Sequence, residues 1–243
     1  MGSEMCIRDS LNIVPVRKED NAKSEMISQL FFGETITIIK IINKWSFVKS
    51  NIDNYEGWVR NLHYKKLSNS EFLEISNKKN IFSSTELKIK DIINEIVVPT
   101  GSLISSAKFL DYEHEENQNV ISISKIAKSF LNTPYLWGGK TKFGIDCSGL
   151  VQSVFKTFNI ILPRDAKDQS KKGIEIINEF KNGDLAFFGD NKEKISHVGI
   201  ILKNEKIIHA YGKVRIDSIN NKGIYNIEEN KITHSLQIVK RII

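Results

Sequence analysis

Residues 133–150 read TPYLWGGKTKFGIDCSGL and contain Cys147, one of two cysteines in a chain of 243 residues. The residues that follow it decide what kind of fold carries it. Leu150, Val151, Val154, Phe155 and Phe158 recur at the spacing of one helical face, so a helix is expected to start at about Cys147. A helix start directs its unbonded N–H groups and the positive end of its dipole at whatever sits there. A thiol in that position is expected to fall below its free pKa of about 8.5 and to supply the thiolate, the nucleophilic form. The competing reading is a small apolar side chain filling a gap in a core, since free cysteines are among the most buried residues.

A nucleophile of this kind needs a base, and the chain offers two imidazoles close together, His197 in KISHVGIIL and His209 in KIIHAY. Both runs read as strands, Ile195 to Leu202 and Lys206 to Tyr211, joined by the turn KNEK. Because side chains alternate along a strand, the loop length decides whether the rings meet. A two-residue loop of Asn204 and Glu205 sends them to opposite faces. A three-residue loop of Lys203, Asn204 and Glu205 pairs Leu202 with Lys206, sets His209 opposite Gly199 and makes the histidines diagonal neighbours, about 7 to 8 Å apart at the backbone. The catalytic reading therefore expects an odd loop or a bulge here. Zinc is the chemical competitor for Cys147, His197 and His209, but their spacing lacks the close ligand pairs usual in structural sites, and neither a metal nor another cofactor is expected. His63, His114 and His234 have no such context and read as solvated residues.

Around this centre the C-terminal half reads as α+β, helices first and a mostly antiparallel sheet after. In ISISKIAKSFLN, Ile123, Ile126, Ala127 and Phe130 fall at helical spacing behind serines that cap a first turn, and Pro134 ends the helix. Gly183 to Phe188 and Leu236 to Arg241 join the two histidine runs as strands. The N-terminal half, from Leu11 to about Leu67, alternates short β-branched segments with turns and reads as a small antiparallel β-barrel, with IDNYEG closing a hairpin. Residues 69–118 read as a second, smaller β unit built from KNIFSS, LKIKDI and EIVVPTGSLISS, and DYEHEENQN reads as a linker. The opening MGSEMCIRDS has neither signal-peptide nor transit-peptide character, and MCIRDS resembles a translated sequencing-adapter fragment. Residues 1–10 are therefore expected to lie outside the fold and the native start to be missing, which leaves a lost signal peptide, and hence cytoplasmic or exported location, open. The expected division is 1–10, 11–68, 69–118 and 119–243.

With 40% hydrophobic and 26% charged residues the composition is that of a globular protein, and no apolar run approaches the roughly 18 residues of a membrane helix. The formal charge of +6 is spread along the chain without a nucleic-acid motif, so no nucleic-acid partner is expected. A monomer is expected.

TPYLWGGKTKFGIDCSGL, LPRDAKDQ, NGDLAFFG, ISHVGIIL and IIHAYG, over about residues 121–243, together resemble the NlpC-type cell-wall cysteine peptidases, papain-like enzymes that cleave peptidoglycan stem peptides. The resemblance implies Cys147 as nucleophile, His197 as base and His209 as its orienter. SEMISQLFFGE and NYEGWV resemble the bacterial SH3-like barrels that precede this domain in the γ-D-glutamyl-L-diamino-acid endopeptidases. That second likeness implies a barrel closing one end of the groove, with Tyr55, Glu25 and Asp146 holding the free ammonium of an N-terminal L-Ala, and Ser148 and Trp137 lining the groove. The implied reaction is thioester-mediated cleavage between D-Glu and the diamino acid. The rival readings are a wall-binding module with an inactive enzyme domain, and a related cysteine amidase or acyltransferase with another substrate.

Overall fold

The computed structural model describes residues 4–7, 11–93, 95–114 and 122–242. It divides into two compact units, residues 1–120 with 156–161, and residues 121–155 with 162–243.

The first unit is built on a seven-stranded antiparallel sheet. In chain order its strands are β1 (Glu4–Ile7), β2 (Ile13–Arg17), β3 (Met26–Phe31), β4 (Thr35–Ile42), β5 (Trp45–Ser50), β6 (Glu56–Arg60) and β7 (Lys65–Lys66), and the spatial order is β3-β2-β6-β5-β4-β1-β7. Inward-facing Val14, Val16, Leu30, Ile36, Ile38, Val48 and Val59 form its core. The β5–β6 hairpin turns through residues 51–55, where Asn54 takes the left-handed conformation (φ 61°) that Asn tolerates, as expected for IDNYEG. Of the opening decad, residues 1–3 and 8–10 lie outside the described residues, and the four between them depart from expectation. Glu4–Ile7 is no appendage but a strand between β4 and β7, with Cys6 paired to Ile36 and to Lys66. The physical reason is the apolar pair Cys6 and Ile7, both 0% exposed, whose burial on the two faces of the strand outweighs the cost of ordering four residues.

Among the described residues of 69–118, LKIKDI and the start of EIVVPTGSLISS form strands as expected, KNIFSS does not, and a helix appears that was not expected. Helix α1 (Asn69–Ser76) starts with a capping box in which Ser68 accepts from the Glu71 N–H and Glu71 accepts from the Ser68 N–H. Strands β8 (Leu87–Lys90), β9 (Glu95–Val98) and β10 (Glu113–His114) form a three-stranded sheet in the order β10-β8-β9. KNIFSS contributes an isolated bridge, Phe82 to Leu103, and the stretch after Pro99 makes two 3-10 turns. Ile75, Ile89, Val98, Ala107, Leu110 and Tyr112 pack with Ile7 and Phe32. Of the expected linker DYEHEENQN, Glu113 and His114 belong to β10, and residues 115–119 lie outside the described residues.

In the second unit, α2 (Ile123–Lys128) is capped by the Ser122 hydroxyl, which accepts from the Lys125 N–H. A small hairpin, β11 (Lys140–Thr141) and β12 (Gly144–Ile145), leads into α3 (Cys147–Lys156), and α4 (Ala166–Gln169) follows. The predicted apolar face is the buried one: Leu150, Val151, Val154 and Phe155 are all 0% exposed, and Phe158 lies just past the helix. The sheet comprises β13 (Ile174–Glu175), β14 (Leu185–Gly189), β15 (Ile195–Leu202), β16 (Lys206–Tyr211), β17 (Lys213–Asn220), β18 (Gly223–Asn226) and β19 (Lys231–Arg241), in the order β13-β19-β14-β15-β16-β17-β18. The first part of β19 pairs with β18 and the rest with β14, so strands β14 to β19 close on themselves. Strands β17 and β18 and the start of β19 were not expected from the sequence. The molecule is thus α+β, with a sheet-rich region first and helices on an antiparallel sheet after.

Candidate active site

The start of α3 is held by the residue before the cysteine. Asp146 accepts the first helical bond at its carbonyl, from Leu150 N–H at 2.9 Å, and at its carboxylate Oδ1 from Gly149 N–H at 2.7 Å, which is an N-cap. Its Oδ2 accepts from Gly138 N–H at 2.8 Å, so the same carboxylate ties the WGG loop to the helix. Gly149 is required for this approach, because a Cβ there would stand 2.3 Å from the Gly139 carbonyl oxygen. Arg164, from LPRDAKDQ, donates to both carboxylate oxygens of Asp146 and, at 2.7 Å, to the Ser148 hydroxyl. This is a bidentate, buried, charge-assisted pair, with both side chains at most 5% exposed.

Cys147 is 6% exposed. The backbone amides of Val198 and Ser148 hydrogen-bond its sulfur, which sets the thiol against β15 one residue from His197. The hairpin beyond it has the register of a three-residue loop: Leu202 pairs with Lys206 and Gly199 with His209, and both Asn204 and Glu205 have positive φ. His197 and His209 consequently share a face, and His197 Nε2 stands 2.8 Å from His209 Nδ1. On the next strand His209 pairs with Arg215, which places Asp217 diagonally on that same face, and His209 Nε2 lies 3.0 Å from Asp217 Oδ2.

This chain of contacts fixes the tautomers. Asp217 accepts from Arg215 Nε at 2.7 Å and Nη2 at 3.0 Å, which keeps it ionised and acceptor-only. Burial pushes its pKa up, but the bonds from His209 and Arg215 more than offset that and leave it lowered. The hydrogen between His209 and Asp217 therefore belongs to His209 Nε2, so His209 Nδ1 is an acceptor and His197 must donate to it from Nε2. Nδ1 of His197 is left with its lone pair, as the nitrogen able to take a proton.

The electrostatics correct one expectation. The thiol was expected below its ordinary pKa; instead burial first, and the Asp146 carboxylate second, push it up to about 12, against the pull of the Val198 and Ser148 amides and of Arg164. Burial, then His209 and His234, hold His197 well below the ordinary imidazole value. His209 is lowered too, by burial. Thiol and base thus rest as a neutral pair.

His234 is the second correction. It was read as solvated, yet its ring packs at a 31° tilt against His197 with centroids 4.2 Å apart, lies 5.6 Å from His209 and 4.8 Å from Tyr211, and burial lowers its pKa to about 4. The cause is that β19 begins at Lys231, five residues before the strand expected at Leu236. Other residues absent from the sequence reading are Asp217, Arg164 and Tyr135, whose phenol is pushed up to about 12 by burial and by Cys147 and Asp146 beside it. Among the expected groove residues, Ser148 is 6% exposed and bonded as above, and Trp137 is 60% exposed on the same loop as Gly138. Glu25 and Tyr55 lie in the first unit. Glu25 pairs with Lys18 at 3.2 Å on the surface beside β3, and Tyr55 is half-buried at the end of the β5–β6 turn, its N–H bonded to Asp53.

Two family profiles match the chain: the NlpC/P60 family over residues 132–229, and the bacterial dipeptidyl-peptidase SH3 domain over residues 16–63. A γ-D-glutamyl-L-lysine dipeptidyl-peptidase of Bacillus subtilis is 28% identical over 214 residues, 75% of this chain and 71% of that protein. A probable endopeptidase of Haemophilus influenzae is 34% identical over 120 residues, 46% of this chain and 74% of that protein. The crystal structure of an NlpC/P60 family protein from Bacillus cereus shares the fold, with a TM-score of 0.76 at 19% identity over 98% of this chain and 99% of that one. The thiol at a helix start, the imidazoles on the neighbouring hairpin and these likenesses agree: the chain belongs to the NlpC/P60 family of cysteine-type peptidases.

Proposed function

We propose that this peptidase hydrolyses the bond between γ-D-Glu and the diamino acid of peptidoglycan stem peptides that carry a free N-terminal L-Ala. The observation that carries the mechanism is the ordered chain from Asp217 through His209 to His197, with the thiol on the adjoining backbone. His197 Nδ1 takes the thiol proton as the sulfur attacks the γ-carbonyl. A transient thiolate–imidazolium is stabilised through His209 by Asp217. The Cys147 N–H, at the first turn of α3, is the oxyanion donor. Protonated His197 then delivers its proton to the leaving α-amine of the diamino acid, and a water deprotonated by the same ring opens the thioester, releasing L-Ala-γ-D-Glu and the free thiol. A neutral resting pair suits this sequence, because charge separation is confined to the occupied site.

The substrate class rests on the paired family profiles and on the B. subtilis relative. Asp146 already takes hydrogen bonds from Arg164, Gly138 and Gly149, which fill a carboxylate's roughly four lone-pair positions. Its role toward an ammonium is therefore indirect, through the Ser148 hydroxyl that it and Arg164 hold, with Trp137 on the adjoining loop, and Tyr55 and Glu25 are assigned to the ammonium by the family resemblance alone. Incubation with L-Ala-γ-D-Glu-L-Lys and its diaminopimelate counterpart, each free and N-acetylated, tests the proposal by mass analysis. The expected result is L-Ala-γ-D-Glu plus the free diamino acid, with acetylation lowering kcat/KM by about 10- to 100-fold or more, the worth of a charged hydrogen bond. Acetylated peptides cleaved as fast as free ones would remove the amine rule, and intact free tripeptides would remove the substrate.

A further inference from the structure

Three histidines from three strands meet at one point: His197 on β15, His209 on β16 and His234 on β19, with one ring nitrogen of each lying within 4.8 Å of the others. The proposed mechanism uses the first two and has no work for the third. From this cluster we infer that the peptidase has an inhibitory zinc site formed by His197, His209 and His234, in which the metal takes the place of the hydrogen shared by the first two rings.

The donor set has the features of a zinc site. Three imidazoles with a fourth position for water is a common tetrahedral arrangement, with Zn–N bonds of about 2.0–2.1 Å and hence nitrogens about 3.3 Å apart. His197 Nε2 and His209 Nδ1 are 2.8 Å apart, so small ring displacements open the pair to that spacing. The supporting shell is already in place. Zinc-bound imidazoles usually donate their second nitrogen to a carboxylate or another oxygen, which fixes their orientation. His209 does so to Asp217, itself clamped by Arg215, and His234 Nδ1 meets the Thr233 hydroxyl at 2.9 Å. His197 and His209 are at most 7% exposed, whereas His234 is half-buried.

Inhibition follows from bookkeeping of one hydrogen. Zinc at His197 Nε2 uses that nitrogen's lone pair, so the ring hydrogen must move to Nδ1, the atom that otherwise accepts the thiol proton. No net proton is released and no redox step occurs, yet the base is gone. Zinc binding and peptide turnover are therefore mutually exclusive.

Metal binding is independent of which peptide is cleaved, while the inhibition rests on His197 as the base, so the two are read separately. Binding is measured on the tag-free, metal-stripped chain with Cys147→Ala, using Co²⁺ as a visible probe of Zn²⁺ sites. The expected result is one equivalent bound with the strong visible bands of a tetrahedral nitrogen site, displaced by Zn²⁺, and weakened at least tenfold by His234→Gln or His234→Asn. Turnover of the protein with its cysteine is then titrated with buffered Zn²⁺. Relative to its own metal-free rate, the His234→Gln variant needs at least tenfold more zinc for half-inhibition. Loss of cobalt binding in Cys147→Ala would mean that the thiol is the metal's ligand and would overturn the site. So would binding or inhibition indifferent to residue 234. Tight binding that leaves turnover intact would overturn the inhibitory role and, with it, His197 as base.

Discussion

The two cysteines differ in almost nothing that burial measures. Cys6 is 0% exposed and Cys147 6%, and the pKa of each is pushed up to about 12, with burial the leading cause in both. What separates them is the company they keep. Around Cys6 stand Val14, Val16, Leu30, Ile36 and Val48, a barrel interior, and the charges that act on it are those of the Glu4–Lys66 pair rather than of an imidazole. Around Cys147 stand two backbone amides, the Asp146–Arg164 pair and the strand that carries His197. A buried, protonated thiol is thus compatible with either a packing or a chemical role, and the polar groups within reach decide which.

The largest test of that contrast is paired truncation. Cys147→Ala is expected to lower turnover by about 10⁴-fold or more, as loss of a nucleophile does, with the fold kept. Cys6→Ala is expected to leave turnover within about twofold and instead to cost about 1–2 kcal/mol of stability, because its sulfur fills a closed core. Retained turnover in the first, or a large kinetic loss in the folded second, would erase the distinction. Next in size is Asp217→Asn. An amide in place of the carboxylate no longer dictates the hydrogen on His209 Nε2, and the tautomer chain to His197 is lost. We expect kcat to fall by about 10²- to 10⁴-fold with KM little changed, by analogy with removing the carboxylate behind a catalytic histidine. An unchanged kcat would show that His209 and Asp217 are only packed together.

The smallest effect concerns what the thiols share. A thiol whose pKa is about 12 folded and about 9 unfolded adds stability that is fully present below pH 9 and is lost as pH rises from 9 toward 12. Urea unfolding of the parent, both single alanine variants and the double variant between pH 8 and 10.5 should show the alkaline decline flattening with each cysteine removed. Parallel curves would mean that neither thiol is held protonated by the fold.

Much of this centre was legible before any coordinates, and the parts that were not have identifiable reasons. The ends of β15 and β16 and the helix at Cys147 follow from periodicity, whereas counting side-chain faces left two loop lengths open and only the catalytic reading required the odd one that is found. Asp217 was not visible because β17 turns a carboxylate inward, which interrupts the apolar alternation by which a strand is recognised. His234 was hidden by the same kind of gap, since KITHS lacks apolar alternation and joins β19 only through its pairing with β18. Arg164 stood in a recognised block, but nothing local announces that a cation will lie under a helix start. α1 is a different case, for Ser68 and Glu71 spelled out a capping box that the weak apolar pattern of residues 69–76 obscured. Cys6 was set aside with MGSEMCIRDS because MCIRDS resembles an adapter fragment, although Cys6 and Ile7 are buried on a strand.

The turn between β15 and β16 carries no chemistry, yet the site depends on it in a peculiar way. Its three residues can change identity freely wherever the two positive φ angles are tolerated, but their number cannot change by one without sending His209 through the sheet to the opposite side. An exposed segment of this sort would ordinarily be counted among the safest places to lengthen or trim. Here it is locked by parity, and a one-residue deletion at the surface does to the contact between His197 and His209 what a substitution of either ring would do.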